Sequence, residues 1–451
     1  MTAIPPTEAR SIVAALRTGV VPQAGLHHFA TGTDALMRVV EQDLQEVAAG
    51  QGRGGFKWLR GHYGSGKTFT TRLLCWRARQ LGFATSEVQI SITDTPLHHL
   101  ETIYRRLMER LTTADGGEAA FSSVVDGWIY KLGEEVIQLQ GIAQRDERFP
   151  AAVEQRLENR LAVLSRKNPA FARVLRAYHQ ALEAANFGLA QGLLSWLAGD
   201  PTVAASIKKS AAVKGEIDGV AALDFLRGLL QLLRESDYKG LVLVLDEVET
   251  VQRMRGDVRE KALNALRQLV DLVLAGELPG LYVVVTGTPE FFDGYKGIKG
   301  LQPLADRVQT HFGSDPKFDN LRAPQVRLAP FDAVRLAEVG RRVRDLYPAQ
   351  EPDRVQRRID DRLIDGLVKN MTSAFGGKVD IVPRLFLRDL VDRLDRVDQH
   401  PDYDPAADLS MEVDESLLRA EERAARHGLP DPDDASDGQD PDGDILPRRL
   451  S

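Results

Sequence analysis

A chain of 451 residues can form one large domain with insertions, or two to three ordinary ones. With 43% hydrophobic residues and a formal net charge of −7 it reads as a soluble globular protein, and it lacks the basic surplus that would announce a nucleic-acid binder. No apolar run reaches the roughly 18 residues of a membrane span, MTAIPPTEAR carries no secretory signal, and the single Cys75 excludes an intramolecular disulfide, so the expectation is a cytoplasmic protein.

Four apolar runs read as strands in chain order: FKWLR (56–60), SEVQISIT (86–93), LVLVLDE (241–247) and LYVVVTGT (281–288). A fifth, PQVRLAP (324–330), is weaker. Near-continuous Val, Leu and Ile suggest strands buried on both faces, as in a parallel sheet covered by helices. Helical patterns lie between them, over 68–81, 96–112, 221–235 and 257–275, and Cys75 falls inside the first as a small core residue. The expected fold class is therefore α/β, a doubly wound parallel-sheet core. Residues 113–218 have helical periodicity and no strand signal, and the chain beyond 330 reads helical near 332–346, 353–370 and 382–396. The stretch 429–451 holds seven Asp and two Arg with many Pro and Gly, which predicts disorder.

The first strand runs into GHYGSGKT, which fits G-x-x-x-x-G-K-[ST] from Gly61 to Thr68. Glycines at 61, 64 and 66 let the backbone approach phosphate oxygens and adopt positive φ where needed. Successive N–H groups then make an anion site at a helix N-terminus. Lys67 would reach the β- and γ-phosphates, and the Thr68 hydroxyl would ligate Mg²⁺. The candidate nucleotide-binding set here is Gly61, Gly64, Ser65, Gly66, Lys67, Thr68 and Phe69.

The third strand ends in Asp246 and Glu247. Carboxylates at the C-terminal end of a buried strand are costly unless they face a crevice, and that is where α/β sheets bind ligands. Asp246 would hold Mg²⁺, and Glu247 would act as general base on the attacking water. The pair favours a hydrolytic ATPase over a small-molecule kinase, and no Asn-Lys-x-Asp stretch supports a GTPase. At the fourth strand's end, Thr286 or Thr288 could orient that water; a threonine capping a strand end is the competing reading. Arg307 follows a short apolar turn, and Arg384 and Arg388 begin a helix. An arginine reaching a γ-phosphate accelerates turnover greatly, yet from spacing alone the surface reading of each stands ahead.

Other features are weaker. The pairs His27-His28 and His98-His99 have no Cys or acidic companions at metal-ligand spacing, which argues against a structural zinc site. Tyr63 is a variable loop position. Leu263, Leu266, Val270 and Leu274 share one helix face and predict core packing, while Arg255, Arg259 and Arg267 read as a solvated face.

Several stretches together resemble a known family: GVVP, LRGHYGSGKTF, TPLHHLETIYRRL, VLDEVE and VPRLFLRDLVDRLD are similar to the BREX-system ATP-binding proteins of bacterial phage defence, over roughly 8–398. The order of motifs looks like the AAA+ and STAND division of P-loop ATPases, in particular the initiator-like clade. The resemblance implies that Val21 and Pro22 touch adenine, that Arg307 is a finger acting across a subunit interface, and that Arg384 is a lid arginine. Thr33 stands where initiator relatives carry an arginine, and the chain after the lid is too short for their winged-helix domain. The implied organisation is an adenine-side segment and first half of the core (1–112), a helical insertion (113–218), the second half of the core (219–330), a helical lid (331–398), and a short helix over 411–426 with the acidic tail (399–451).

The expected function is ATP and Mg²⁺ binding with hydrolysis, coupled to a helicase or other DNA-processing enzyme in a homo-oligomer or hetero-assembly of defence proteins. Two alternatives stand beside it: a STAND-like signalling switch, and a non-hydrolysing adaptor for which ATP is a structural ligand.

Overall fold

The Val- and Leu-rich runs form the middle of a five-stranded, all-parallel sheet in a computed structural model of the chain. The structure describes residues 4–407 except 51–53, 116, 118, 167, 330 and 376–382, together with Leu418, Arg423 and Arg426. The helix expected over 411–426 and the tail 429–451 otherwise lie outside the described residues.

The strands are β1 (Gly55–Arg60), β2 (Ala84–Gln89), β3 (Leu241–Asp246), β4 (Leu281–Gly287) and β5 (Gln325–Arg327), in the spatial order β2-β3-β4-β1-β5. Because strand side chains alternate between faces, the continuous apolar runs feed two separate cores. Leu241, Leu243, Leu245, Leu281, Val283 and Val285 enter one core, whereas Val242, Val244, Tyr282 and Val284 enter the other. Each fully buried Val or Leu contributes roughly 1.5–3 kcal/mol, so β3 and β4 hold together all three layers of the α/β fold.

The first core continues into the helices Gly219–Glu235 and Gly256–Leu274 and into the 113–218 region, where Phe121–Gln140, Phe149–Ser165, Pro169–Glu183, Phe187–Leu197 and Ala205–Ser210 are helical. The second core takes the helix Lys67–Gln80, with Cys75 fully buried, and the C-terminal helices Ala333–Leu346, Asp361–Ala374 and Pro383–Gln399. It also takes two helices that the sequence reading did not anticipate, Pro6–Arg17 and Asp34–Ala48.

Three local expectations are corrected. The second strand covers 84–89 rather than 86–93, because Ser91 Oγ accepts from the N–H groups of Asp94 and Thr95 and turns the chain. The helix expected over 353–370 is two, Pro352–Arg358 and Asp361–Ala374; Asp360 caps the second by accepting from Leu363 N at 2.8 Å. Leu274 is 58% exposed instead of buried beside Leu263, Leu266 and Val270, since it closes the last turn at the helix end.

Candidate nucleotide-binding site

Parallel register sets the site. Gln89 pairs with Asp246 across β2 and β3, Leu245 with Val285 across β3 and β4, and Leu59 with Thr286 and Arg60 with Gly287 across β4 and β1. The C-terminal ends of four strands therefore lie side by side, with Gln89, Asp246 and Thr286 in one row and Arg60 one residue beyond it, at the edge where α/β sheets receive ligands.

Immediately after Arg60 the chain enters the glycine loop. Gly64 and Gly66 have φ of +81° and +85°, the left-handed region that glycine tolerates. Gly61 serves another purpose: a Cβ there would lie 2.3 Å from Ser65 Oγ, so the loop closes only around a bare backbone. The helix Lys67–Gln80 starts at this point and aims its first free N–H groups at the loop. Lys67 is buried and curls back over the loop, where Nζ donates to Gly61 O at 2.8 Å and to His62 O at 3.3 Å. The Tyr63 ring lies 4.9 Å from this ammonium, a cation–π contact. Ser65 Oγ is buried with no hydrogen-bond partner of its own.

Opposite the loop stand three carboxylates. Thr68 Oγ1 donates to Asp246 Oδ2 at 3.0 Å, which brings the two candidate Mg²⁺ ligands together. The other Asp246 oxygen accepts from Thr286 Oγ1 and from Glu247 N at 3.1 Å. Glu247 has φ +59°, a conformation uncommon for a side-chain-bearing residue, and starts a 3₁₀ turn over Val248–Arg253. Its Oε2 accepts from Gln89 Nε2 at 2.9 Å. Glu249 is the third acid, 4% exposed, with both oxygens lacking hydrogen-bond donors and Oε1 3.7 Å from Lys67 Nζ. Burial pushes its carboxyl up to about 7, Lys67 pulling the other way.

A single cavity of about 2000 Å³ joins the loop, Asp246, Glu247 and Glu249 to a more apolar end. That exceeds the roughly 300–1,000 Å³ of an ordinary small-ligand pocket. Val21 and Pro22 line the apolar end, with Phe69 from the loop helix and Val339, Arg384 and Leu387 from the C-terminal helices. Phe69 is held edge-on by Phe29 at 5.4 Å, Arg72 donates to the Val21 carbonyl, and Arg384 lies along Gly19, whose added Cβ would sit 3.3 Å from Arg384 Cγ.

The structure thus brings together Val21, Pro22, Gly64, Ser65, Gly66, Lys67, Thr68, Phe69, Asp246, Glu247 and Arg384 around one cavity, with Gly61 packed tightly against Ser65 at the start of the loop. Three expected residues stand apart from it. Thr286 is fully buried and acts on Asp246. Thr288 is 3% exposed and precedes the short helix Pro289–Asp293. Arg307, on the helix Gln302–Val308, pairs with Asp271 and donates to Pro303 O, away from the cavity of its own chain. Of the three arginines expected on a solvated face, Arg255 is exposed beside Asp257, whereas Arg259 and Arg267 are half-buried on Met254 O and Asp271.

Sequence reasoning missed Gln89 and Glu249. Gln89 is a polar residue ending a strand on the ligand edge, a signal that was available. Glu249 sits three residues beyond Asp246, and only the 3₁₀ turn carries it back to Lys67. It also missed that His28 has an acidic companion: Glu8, 20 residues earlier and on another helix, places Oε2 3.5 Å from His28 Nε2.

The loop fits a nucleotide's phosphates by the chemistry of its donors, and Ser65 Oγ and the Glu249 carboxyl stand beside it without hydrogen-bond partners. Among the described residues no helix is long and apolar enough to cross a membrane. No curated protein matches the chain. Residues 4–413 match the family described as BREX system ATP-binding protein BrxC/D, and the chain belongs to that family of phage-defence ATP-binding proteins.

Proposed function

We propose that the protein hydrolyses ATP and couples that hydrolysis to a DNA-processing partner of the defence system, working as an AAA+-type P-loop ATPase of the initiator-like kind. The observation that carries this reading is the convergence of Lys67 and Thr68 with Asp246 and Glu247 on one cavity. A pure scaffold needs the first pair and has no use for a carboxylate positioned as a base.

In this mechanism the loop N–H groups and Lys67 hold the β- and γ-phosphates, with the helix N-terminus favouring their charge. A Mg²⁺ ion held by Thr68 and Asp246 would supply charge neutralisation at the phosphate oxygens. Thr286 fixes the Asp246 carboxylate by its hydrogen bond and is a positioning residue. Glu247 takes the proton of the attacking water once Gln89 releases its Oε2. Glu249 sits 3.7 Å from the Lys67 ammonium and helps to hold it beside the loop. Val21, Pro22 and Phe69 take the adenine, and Arg384 answers the nucleotide from the lid helices, which reorient against the sheet on hydrolysis.

Arg307 completes a neighbouring subunit's site. Asp271 holds it away from its own cavity, so an isolated chain turns over slowly. Steady-state phosphate release at increasing protein concentration, with and without co-expressed defence partners, tests this: specific activity should climb with assembly. Isolated monomers at full rate, indifferent to concentration and partner, would contradict it.

One observation favours a second reading, the STAND-like switch. The Gln89–Glu247 bond ties up the base, as a protein that binds ATP and hydrolyses it only on a signal requires. Turnover that stays near zero after assembly, alongside tight ATP binding, would favour the switch or the adaptor.

A further inference from the structure

We propose that Glu8, His27 and His28 bind one divalent transition-metal ion of the zinc class, at a site separate from the phosphate loop. The helix Pro6–Arg17 supplies the carboxylate, and the 3₁₀ turn Leu26–His28 supplies both imidazoles. One ligand atom from each of the three residues lies within 4.8 Å of the others. The 3.5 Å between Glu8 Oε2 and His28 Nε2 is close to the roughly 3.3–3.5 Å separating two ligands on a tetrahedral ion with bonds of about 2.0–2.2 Å.

A second observation points the same way. His27 Nδ1 and His28 Nε2 are buried ring nitrogens without hydrogen-bond partners. An unsatisfied buried nitrogen costs about 1–3 kcal/mol, and here two adjacent residues each carry one. A metal ion satisfies lone pairs that the protein leaves unused.

The surroundings hold the ligands in place. His27 stacks on Trp76 of the loop helix, with centroids 4.1 Å apart and planes within 7°. The His28 ring lies 3.9 Å from that of His27. Gly25 has φ +74°, and a Cβ there would meet Ile12 Cδ1 at 2.5 Å and Glu8 Oε1 at 3.2 Å. Glycine at this position therefore lets the carboxylate approach the turn.

The ligand set has a structural consequence. Residues 9–26 connect the first and second ligands, and they include Val21 and Pro22 at the apolar end of the cavity. An ion would fasten that segment to Trp76. Three protein ligands leave a fourth position for water.

The test uses the full chain, stripped with a chelator and titrated with Co²⁺ in excess Mg²⁺, so that the oxygen-ligated Thr68–Asp246 position does not report. One equivalent of Co²⁺ per chain should give a visible absorption band typical of low coordination, and Zn²⁺ should displace it. Glu8→Gln and His28→Gln should each weaken binding at least about 10-fold. A double His98→Gln, His99→Gln variant should bind like wild type, because that pair is elsewhere. Protection of His27 and His28 from diethylpyrocarbonate by Zn²⁺, read by peptide mass spectrometry on the wild-type chain, needs no variant to fold. A Zn²⁺-displaceable band that survives both substitutions, the lack of any such band, or unchanged modification of both histidines would each overturn the site; a Glu8–His28 ion pair without metal predicts those results.

Discussion

The two ends of the cavity are built on different principles. The phosphate end belongs to the sheet: Gln89, Asp246 and Thr286 lie in one row because parallel pairing fixes which residues are neighbours, and the loop follows directly from β1. The apolar end, where we propose that adenine binds, belongs to helices and turns drawn from residues 19–36 at one extreme of the chain and 339–387 at the other. Rigid pairing suits a reaction that needs atoms placed within tenths of an ångström. Packing of separate helices suits an end that opens and closes.

The largest effects should come from changes at the phosphate end. Arg307→Ala is expected to lower turnover of the assembled protein by about 10³-fold, the scale of an arginine finger. Mixing it with Lys67→Ala separates the alternatives: each variant alone is inactive, and mixed assemblies recover activity only if Arg307 acts on a neighbour. Failure to recover, with mixed oligomers demonstrated, would place the arginine in its own subunit.

Binding comes next in size. Lys67→Ala removes a charge-assisted contact of roughly 1.5–3 kcal/mol and should weaken ATP and inorganic tripolyphosphate alike, by about 10- to 150-fold. Leu387→Ala, at the other end, should weaken ATP by about 1 kcal/mol through lost apolar contact and leave tripolyphosphate unchanged. Isothermal titration with both ligands decides it. Equal losses for both ligands in Leu387→Ala would remove the distinction between the ends.

A subtler difference concerns Glu249. Its carboxyl is held near 7 in the folded protein against an ordinary value of 4.5, so the native state keeps a proton that the unfolded chain has released. That contribution to stability is full below about 4.5, fades as pH rises to about 7, and corresponds to roughly 3 kcal/mol. Glu249→Gln has no such slope. Denaturant unfolding should show the variant gaining on wild type at pH 8 by up to that amount, and differing little at pH 4.5. An equal difference at both pH values would clear Glu249 of this role.

The same contrast explains what could be read from the chain. The loop from Gly61 to Thr68 and the acids at 246 and 247 are contiguous, and each residue type is demanded by local chemistry, so the phosphate end was legible. The double burial of β3 and β4 was equally clear from their unbroken apolar runs. Residues whose role depends on distant partners were not. Glu249 matters because a left-handed Glu247 folds the next turn back to Lys67, and Glu8 matters because a helix from the N-terminus lands on His28. Thr286 was picked out for its position at a strand end, but its hydroxyl is engaged by Asp246. Two helices went unread: Asp34–Ala48, which covers the sheet beside the loop helix, and Pro6–Arg17, which packs on Pro383–Gln399.

The central claim is that Glu247 is the base of an ATP hydrolase, and a single comparison reaches it most directly: ATP affinity and phosphate release for wild type and Glu247→Gln, with the assembly state held equal. The account predicts that the variant binds ATP as tightly as wild type and releases phosphate about 10²- to 10⁴-fold more slowly. Phosphate release at the wild-type rate by Glu247→Gln would contradict it, and so would a wild-type protein that binds ATP tightly and turns over in no assembly.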